Sequence, residues 1–335
     1  MQFRTFGLSL NMLKSRNLNF EYSAGNPVLK RINFQIEDSE FISILGESGS
    51  GKSTLLKLIY GMEDATEGEI LFNGEKIGGP KFNLVPGHSK MKFVTQEFSL
   101  LETISVAENV GKYLSNFDLP KKKRNIKSAL KAVGLLQFKD ELPSKMSGGQ
   151  RQRISIAAAL AAQPEILLLD EPYGHLDQPL KFEIRKGIRD WAKENGTTVL
   201  ITTHDINDAM AYSDRIFVIK NGRLIQIASP EELKSQPKNK YVAGLLGIFN
   251  CLTPTEMWRL FRIRIDENRF AVIYPEEIFL DDKGSEFLID EICFQGNNYL
   301  IKAINQETEV YFYSDQRPEK QHIHLKLKNF RTVRN

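Results

Sequence analysis

The stretch Phe41-Ile-Ser-Ile-Leu-Gly-Glu-Ser-Gly-Ser-Gly-Lys-Ser-Thr54 decides how most of the chain folds. Its apolar, β-branched start, 41–45, predicts a buried strand, and the pattern over 53–60, closed by Gly61, predicts a helix. Between them, residues 46–53 match the phosphate-binding loop pattern in the strand–loop–helix context that it requires. The sequence therefore predicts a site for a nucleoside triphosphate with magnesium.

The residue types of this loop follow from the chemistry of a polyphosphate. Glycines let backbone N–H groups turn inward around the phosphates, and the next helix adds the positive end of its dipole. Lys52 supplies a point charge for the β- and γ-phosphates, and the Ser53 hydroxyl is placed to bind Mg²⁺. The alternative, a flexible Gly/Ser turn, does not account for the glycines, the Lys-Ser pair and the flanking elements together. The predicted nucleotide contacts are Gly46, Glu47, Ser48, Gly49, Ser50, Gly51, Lys52, Ser53 and Thr54.

Two acids follow a second predicted strand. The apolar run 166–169 ends in Asp170 and Glu171, which places Asp170 beside the magnesium and Glu171 one step further out. A carboxylate that polarises a water here indicates hydrolysis, because a kinase must exclude water from the γ-phosphate. Solvated acids at a strand end are the alternative interpretation of this pattern when it is taken alone.

The segment Ser147-Gly-Gly-Gln150 opens a predicted helix that extends to Gln163. A helix N-terminus preceded by Ser-Gly-Gly offers a second cradle for phosphate oxygens. One nucleotide cannot easily use two such cradles from one subunit. We therefore expect a head-to-tail dimer in which each Ser-Gly-Gly segment completes the site of its partner.

These motifs, in this order over 18–229, resemble the nucleotide-binding subunit of ATP-binding-cassette (ABC) transporters. The resemblance implies a dimer around two Mg-ATP, with 46–54 as the Walker A loop. The resemblance also implies that Tyr22 stacks on the adenine and that Gln96 contacts Mg²⁺ and the attacking water. Asp170 would be the Walker B acid, Glu171 the catalytic base and His204 the switch histidine. Across the dimer, it implies action in trans on the γ-phosphate by Ser147, Gly148, Gly149 and Gln150, and a D-loop contact by Asp177. The implied magnesium ligands are Ser53, Gln96 and Asp170. For Tyr22, an ordinary strand-face aromatic is the alternative.

The chain departs from the family pattern at two positions. Met146 stands where the signature usually has Leu, and two side chains of similar volume should preserve the packing. Gly174 stands where a D-loop Ser is common, which removes a hydroxyl from the contacts across the dimer. No catalytic residue is degenerate, and we expect an active ATPase.

The composition of the chain indicates which partners and which cellular compartment to expect. The net charge is +3, from 45 basic and 42 acidic residues, so no global field attracts nucleic acid and no nucleic-acid partner is expected. Two cysteines, Cys251 and Cys293, form no disulfide framework and fit a reducing compartment. No apolar run approaches the ~20 residues that cross a bilayer. We therefore expect a cytoplasmic protein that is peripheral on the inner face of the cell membrane through its partners.

The predicted fold class is α/β, because strands alternate with helices up to about residue 219. It is a P-loop NTPase with a mainly parallel sheet, an antiparallel β subdomain and a helical signature subdomain, followed by a small C-terminal all-β, OB-like domain. At 335 residues the chain exceeds a typical single core. The predicted ranges are 1–14 for an N-terminal extension, 15–246 for the ATPase domain, about 98–163 for its helical subdomain and 247–335 for the C-terminal domain.

The C-terminal region carries a resemblance of its own. Residues 247–250 and 273–278 resemble the entry to the small β-domain appended to importer ATPases for polyamines, iron, sulfate, molybdate and sugars. The region is shorter than the version in sugar importers. A dimerisation or stability module without a ligand is therefore favoured over a domain that binds a regulatory partner.

The predicted function is an ATP-hydrolysing subunit that powers solute import through a membrane permease. The expected partners are a second copy or a paralogous ATPase, integral membrane permease subunits and an extracytoplasmic solute-binding protein. An exporter-type ATPase is the alternative within the class, and the C-terminal β-domain favours import. A soluble ABC ATPase acting on ribosomes or DNA is the alternative from another class, but neither a second cassette nor a long coiled-coil insertion appears. A P-loop kinase is disfavoured by Glu171 and the segment 147–150.

Overall fold

The computed structural model describes residues 12–95, 100–174 and 176–334. The chain divides into two compact units, Met1–Pro230 and Glu231–Asn335. Within the described ranges, no helix combines the length and the apolar character needed to span a bilayer.

Strands and helices alternate along most of the first unit. Its strands are β1 (Leu13–Glu21), β2 (Pro27–Ile36), β3 (Phe41–Leu45), β4 (Glu67–Phe72), β5 (Glu75–Lys76), β6 (Met91–Val94), β7 (Ile166–Asp170), β8 (Thr198–Thr203), β9 (Arg215–Lys220) and β10 (Arg223–Ala228). Its α-helices are α1 (Lys52–Tyr60), α2 (Val106–Gly111), α3 (Leu119–Ala132), α4 (Gly148–Ala161), α5 (Gln178–Asn195) and α6 (Ile206–Tyr212). Short 3₁₀ turns lie at Leu136–Phe138 and Pro143–Lys145.

The central sheet has the strand order β10-β9-β3-β8-β7-β6. Its pairs are parallel except at the β10 edge, where β10 runs antiparallel to β9. Neighbouring residues of β7 belong to different cores, with Leu167 and Leu169 in one and Ile166 and Leu168 in the other. A strand buried on both faces needs an unbroken apolar sequence, as this one has. The predicted fold class is confirmed.

Parallel pairing brings three functional segments to one edge of this sheet. Leu45, at the end of β3, pairs with Thr203 of β8, and Asp170, at the end of β7, pairs with Thr202. The phosphate loop leaves β3 directly after Leu45. Loop, acids and His204 therefore emerge side by side, at the edge where open α/β sheets bind ligands.

The antiparallel subdomain is a sheet of order β2-β1-β4-β5. Its first strand begins at Leu13, within the predicted extension, and Met12 and Leu13 are buried. The polar run that follows gives no apolar alternation, yet Ser15 is buried and donates to Ile32 O at 2.7 Å. Part of the predicted extension, 1–14, thus belongs to the ATPase fold, and residues 1–11 lie outside the described residues.

The helical part of the first unit contains α2, α3 and α4. A capping box fixes the start of α2: Glu108 N donates to Ser105 Oγ at 3.2 Å, and Ser105 N donates to Glu108 Oε2 at 2.7 Å. Helix α2 ends at Gly111. Residues 96–99, at the predicted start of this part, lie outside the described residues.

The second unit consists mainly of strands. These are β11 (Asn250–Leu252), β12 (Phe270–Ile273), β13 (Ile278–Phe294), β14 (Tyr299–Asn305), β15 (Thr308–Ser314), β16 (His322–Leu327) and β17 (Arg331–Val333). They form two sheets, β11-β12-β17 and β15-β14-β13-β16. Its helices are α7 (Pro230–Ser235), α8 (Lys240–Leu245) and α9 (Pro254–Phe261), with a 3₁₀ turn at Pro275–Glu277. Helix α9 begins at a Thr253–Glu256 capping box that the sequence analysis missed.

The structural boundary between the units precedes the predicted one at 246/247. Ala243 of α8 packs in one apolar cluster with Val272, Tyr274 and Val333. The Tyr274 hydroxyl also donates to Ala243 O at 3.4 Å. Because these contacts tie α8 to the strands of the second unit, the helical stretch before residue 247 belongs with that unit.

The buried side chain of Asn250 links the two sheets of the second unit. Its amide donates to Tyr311 O at 2.8 Å and to Ile273 O at 3.2 Å, and it accepts from Tyr311 N at 2.6 Å. The side chain thus pairs with an edge strand as a backbone amide would. An unsatisfied buried amide or carbonyl is costly.

We predict that Asn250→Ala lowers the stability of the second unit by about 2–4 kcal/mol, because both backbone groups of Tyr311 lose their partner. Thermal unfolding of the full chain measures this change. Asn297→Ala, at an exposed turn position, is the matched control and should unfold like the parent. Equal melting curves for the two variants would contradict the role given to Asn250.

Candidate active site

The phosphate loop is held in a conformation that its glycines permit. Gly49 and Gly51 have φ angles of 76° and 104°, in the left-handed region that favours glycine. A Cβ atom on Gly51 would lie 2.7 Å from Leu29 Cδ2. Gly222 N donates to Ser50 O at 3.1 Å, which anchors the loop to the turn between β9 and β10.

Lys52 lies at the start of α1 with only 4% of its surface exposed. Its Nζ donates to Gly46 O and to Glu47 O, both at 2.9 Å. Burial lowers the pKa of this ammonium, and the carboxylates of Glu171 and Asp170 partly oppose that shift. The first turn of α1 contains no acidic residue, and the ammonium is held by these two loop carbonyls.

Asp170 connects the phosphate loop to the neighbouring strand. Its Oδ1 accepts from Ser53 Oγ at 2.8 Å and from Thr202 Oγ1 at 2.5 Å. The hydroxyl oxygen of Ser53 and a carboxylate oxygen of Asp170 thus lie next to each other. Hydroxyl and carboxylate oxygens are the ligands that Mg²⁺ takes in proteins. The residues present fit the predicted metal. Gln96, the third predicted ligand, lies outside the described residues.

Thr202 is a site residue that the sequence analysis did not single out. It fixes Asp170 and also accepts from Glu171 N at 3.0 Å. Sequence alone places it at the end of a strand next to β7, and only the register Asp170–Thr202 shows that the two side chains meet.

Glu171 and His204 face each other beside this group. His204 Nδ1 lies 3.3 Å from Glu171 Oε2. Glu171 has a φ of 45°, which non-glycine residues rarely adopt and which is concentrated at functional sites. Its carbonyl accepts from Gln152 Nε2 at 3.4 Å, so α4 also contacts this turn.

Tyr22 lies at the edge of the site with 57% of its surface exposed. Its hydroxyl is 3.4 Å from Thr54 Oγ1, and its ring packs edge-on against Phe20 at a centroid distance of 4.7 Å. An exposed ring face within reach of the phosphate loop fits the predicted stacking platform.

The signature segment forms the N-terminus of α4. Ser147 Oγ accepts from Gln150 N at 3.3 Å, and Gln150 Oε1 accepts from Ser147 N at 2.8 Å. Ser147 and Gly148 are exposed, and nothing lies within 4 Å of a Cβ atom built on Gly148. Met146 is buried in the core, as the substitution for Leu predicts. The described contacts of the cradle are internal, which leaves its outer side accessible to another molecule.

The predicted D-loop residue Asp177 is exposed and caps α5, where its Oδ1 accepts from Leu180 N at 3.2 Å. Gly174 is also exposed, and His175 lies outside the described residues. Five of the predicted site residues converge at one edge of the sheet, namely Lys52, Ser53, Asp170, Glu171 and His204. Ser147, Gly148 and Asp177 lie on exposed helix starts.

Comparison with known proteins assigns this arrangement to a family. The family model "ABC transporter" matches residues 29–174. The spermidine/putrescine import ATP-binding protein PotA of Clostridium novyi is 34% identical over 322 residues, which cover 90% of this chain and 91% of that protein. PotA of Clostridium acetobutylicum is 33% identical over 312 residues, with 87% of each chain covered. The chain belongs to the ABC transporter family.

Solved structures agree with the assignment of this chain to the ABC transporter family. The structure of cbiO1 from Clostridium perfringens, part of the ABC transporter complex cbiONQ, aligns with a TM-score of 0.60 and 34% identity, over 67% of this chain and 90% of that one. A dimer of the ATP-binding cassette MJ0796 bound to ADP and Pi aligns with a TM-score of 0.57 and 33% identity, over 65% and 99% of the chains. The protein is an ATP-hydrolysing ABC subunit of the importer type.

We predict that Thr202→Val lowers the ATP hydrolysis rate of this subunit by about tenfold, because Asp170 and the Glu171 backbone N–H lose the hydroxyl that orients them, and a loss of about 1.4 kcal/mol of transition-state stabilisation is tenfold in rate. Steady-state release of phosphate measures the rate. Thr202→Ser keeps the hydroxyl and should retain most of the activity. A Val variant as active as the Ser variant would contradict the role of Thr202.

Proposed function

We propose that this subunit hydrolyses ATP at two sites, each shared between two copies of the chain, and thereby powers the import of a solute through a membrane permease. The observation that carries the proposal is the contact of Glu171 with His204 beside the linked Ser53 and Asp170. It is supported by the exposed cradle at Ser147, whose hydrogen bonds join Ser147 to Gln150 and leave its outer side open.

Within one site, the residues divide the chemistry. Lys52 turns from the loop carbonyls to the phosphates, and the N–H groups of 46–54 surround them. Tyr22 stacks on the adenine. Ser53, Asp170 and Gln96 hold Mg²⁺, which neutralises phosphate charge when bound.

Hydrolysis requires a base beside the attacking water. Glu171 accepts a proton from that water as it attacks the γ-phosphate, while His204, 3.3 Å away, donates a hydrogen bond to the phosphate. Gln96 orients the same water. The turn at Glu171, fixed by Thr202 and Gln152, keeps the carboxylate directed at this position.

The second copy completes the site. The partner subunit's Ser147, Gly148, Gly149 and Gln150 contribute the N-terminus of α4 to the γ-phosphate, and the partner subunit's Asp177 contacts the site from the D-loop. The partner is a second copy or a paralogous ATPase. The structure of the cassette MJ0796, which aligns with 65% of this chain, is a dimer and supports the proposed pairing of two subunits.

A permease docks on an exposed apolar patch of the helical part. We define the patch by the exposed side chains of Leu101, Tyr113, Phe117 and Leu119. Tyr113 is 82% exposed and Phe117 is fully exposed, so this part of the helical region presents apolar surface of the kind that marks interaction sites. The subunit is thereby held at the cytoplasmic face of the membrane.

The solute is a polyamine, collected outside the membrane by a solute-binding protein. This proposal is supported by the similarity of the chain to two spermidine/putrescine import subunits, which are 34% and 33% identical to it over 90% and 87% of its length. The C-terminal β unit favours import over export. No nucleic acid takes part.

We predict that Glu171→Gln binds ATP, accumulates as a closed dimer and hydrolyses ATP about 100-fold or more slowly, because a general base contributes at least that factor. Phosphate release and size-exclusion chromatography with ATP measure the two effects. Glu183→Gln, an exposed position on α5, is the control and should behave as the parent. Parental turnover in Glu171→Gln would remove Glu171 as the base.

We predict that replacing both Tyr113 and Phe117 by Ser leaves the ATPase activity of the isolated subunit unchanged but abolishes its recovery with a polytopic membrane protein. The reason is that the variant removes apolar contact area without touching the site. Affinity purification of the tagged protein from its native membranes measures recovery. Undiminished recovery of the permease would place the docking surface elsewhere.

A further inference from the structure

Helix α5 carries three cations on one face. Lys181, Arg185 and Arg189 follow each other at intervals of four residues, so their side chains lie in a row along the helix. Each one pairs with the segment that follows His204. The pairs are Lys181 Nζ with Asp205 Oδ2 at 3.7 Å, Arg185 with Asp208, and Arg189 Nη2 with Asp214 Oδ1 at 2.6 Å.

The three pairs differ in their exposure to solvent. The side chains of Arg185 and Asp208 are 7% and 5% exposed, whereas those of Arg189 and Asp214 are 30% and 40% exposed. Ion pairs on the surface contribute little, but a buried pair that loses one partner leaves an uncompensated charge. The central pair therefore constrains the geometry most strongly.

Arg185 contacts both catalytic segments of its own chain. Its guanidinium lies 5.4 Å from the ring centre of Tyr173, two residues after Glu171. Its partner Asp208 accepts from Thr203 Oγ1 at 3.3 Å, directly before His204. Burial raises the pKa of Tyr173, so this neighbour stays neutral and the ring presents its face to the cation.

The helix that carries Arg185 starts at the D-loop. Asp177 caps α5, and Lys181 at its first turns pairs with Asp205, which caps α6. A movement of the exposed Asp177 end thus reaches Arg185 through the rigid helix, and Arg185 touches the segments of Glu171 and His204. The two catalytic side chains and the D-loop are connected through one buried cation.

We propose that Arg185 is a positioning residue, which holds Glu171 and His204 in their catalytic arrangement and links that arrangement to the D-loop at the dimer interface. The proposal rests on the roles proposed above for Glu171 and His204. Arg185 is buried against Asp208 and Tyr173 and does not belong to the phosphate loop. Its removal should therefore lower kcat while the affinity for ATP is retained.

The test separates positioning from mere stability with a matched pair of variants. Arg185→Met and Asp208→Leu each leave a buried charge alone and should unfold at a lower temperature than the parent. The double variant Arg185→Met/Asp208→Leu removes both charges and should recover the thermal stability. We expect the double variant to bind ATP within about threefold of the parent, with KM unchanged, yet to show a kcat lowered by about tenfold or more. Arg189→Met, on the same face but at the exposed pair, is the control and should keep kcat within about twofold.

Two outcomes would overturn the proposal. If the double variant recovers kcat together with its melting temperature, the pair serves stability alone. If KM rises while kcat is kept, Arg185 acts on nucleotide binding instead. Glu171→Gln in the same assay keeps the two proposals apart, because parental turnover in that variant would refute the base assignment whatever Arg185 does.

Discussion

Asp170 Oδ1 accepts hydrogen bonds from Ser53 and from Thr202, and so joins the phosphate loop to two neighbouring strands of the sheet. This junction exists only because β3, β8 and β7 run parallel and end together. The Thr202 hydroxyl would not reach the acid if β8 were shifted by one residue, since such a shift turns its side chain to the other face of the sheet. This register sets the positions of Asp170, Glu171 and His204, for which the roles of metal ligand, base and switch histidine are proposed.

The charges around this junction are buried to different degrees, and their roles differ accordingly. Lys52 is buried, which lowers the pKa of its ammonium, but two loop carbonyls accept its hydrogen bonds and two nearby acids partly offset the cost of burial, so the ammonium can exchange partners. Arg185 is buried against Asp208 and Tyr173, where a change of partner would leave a charge uncompensated. Because Lys52 can exchange hydrogen-bond partners, it is suited to bind a nucleotide that is exchanged in each cycle. Because Arg185 cannot, it is suited to hold the surrounding segments in place.

The sequence was most informative where one residue type serves one local purpose. The phosphate loop, the strand that ends in Asp170 and the helix opened by Ser147-Gly-Gly-Gln150 depend on contiguous residues, and the structure has the predicted loop, strand and helix at these positions. Thr202 and Arg185 were missed because their partners lie 32 and 23 residues away along the chain and follow only from strand register and helix packing.

The errors in the fold have the same physical origin. The predicted extension, 1–14, included the start of β1 because the polar residues there are held by strand pairing on both sides and give no apolar alternation. The unit boundary was placed too late because α8 packs on strands that come much later in sequence. Helix α9 had a local signal, the Thr253–Glu256 capping box, that was not used.

The central claim is that each ATP site is built from two chains, and mixing two inactive subunits tests it most directly. A Lys52→Ala subunit lacks a working phosphate loop, and a Ser147→Arg subunit lacks a working cradle. If sites are shared, each variant alone is inactive, but the mixed dimer contains one intact loop facing one intact cradle, and ATPase activity returns on mixing. If each chain holds a complete site, the mixture stays as inactive as its components, and the account would be wrong.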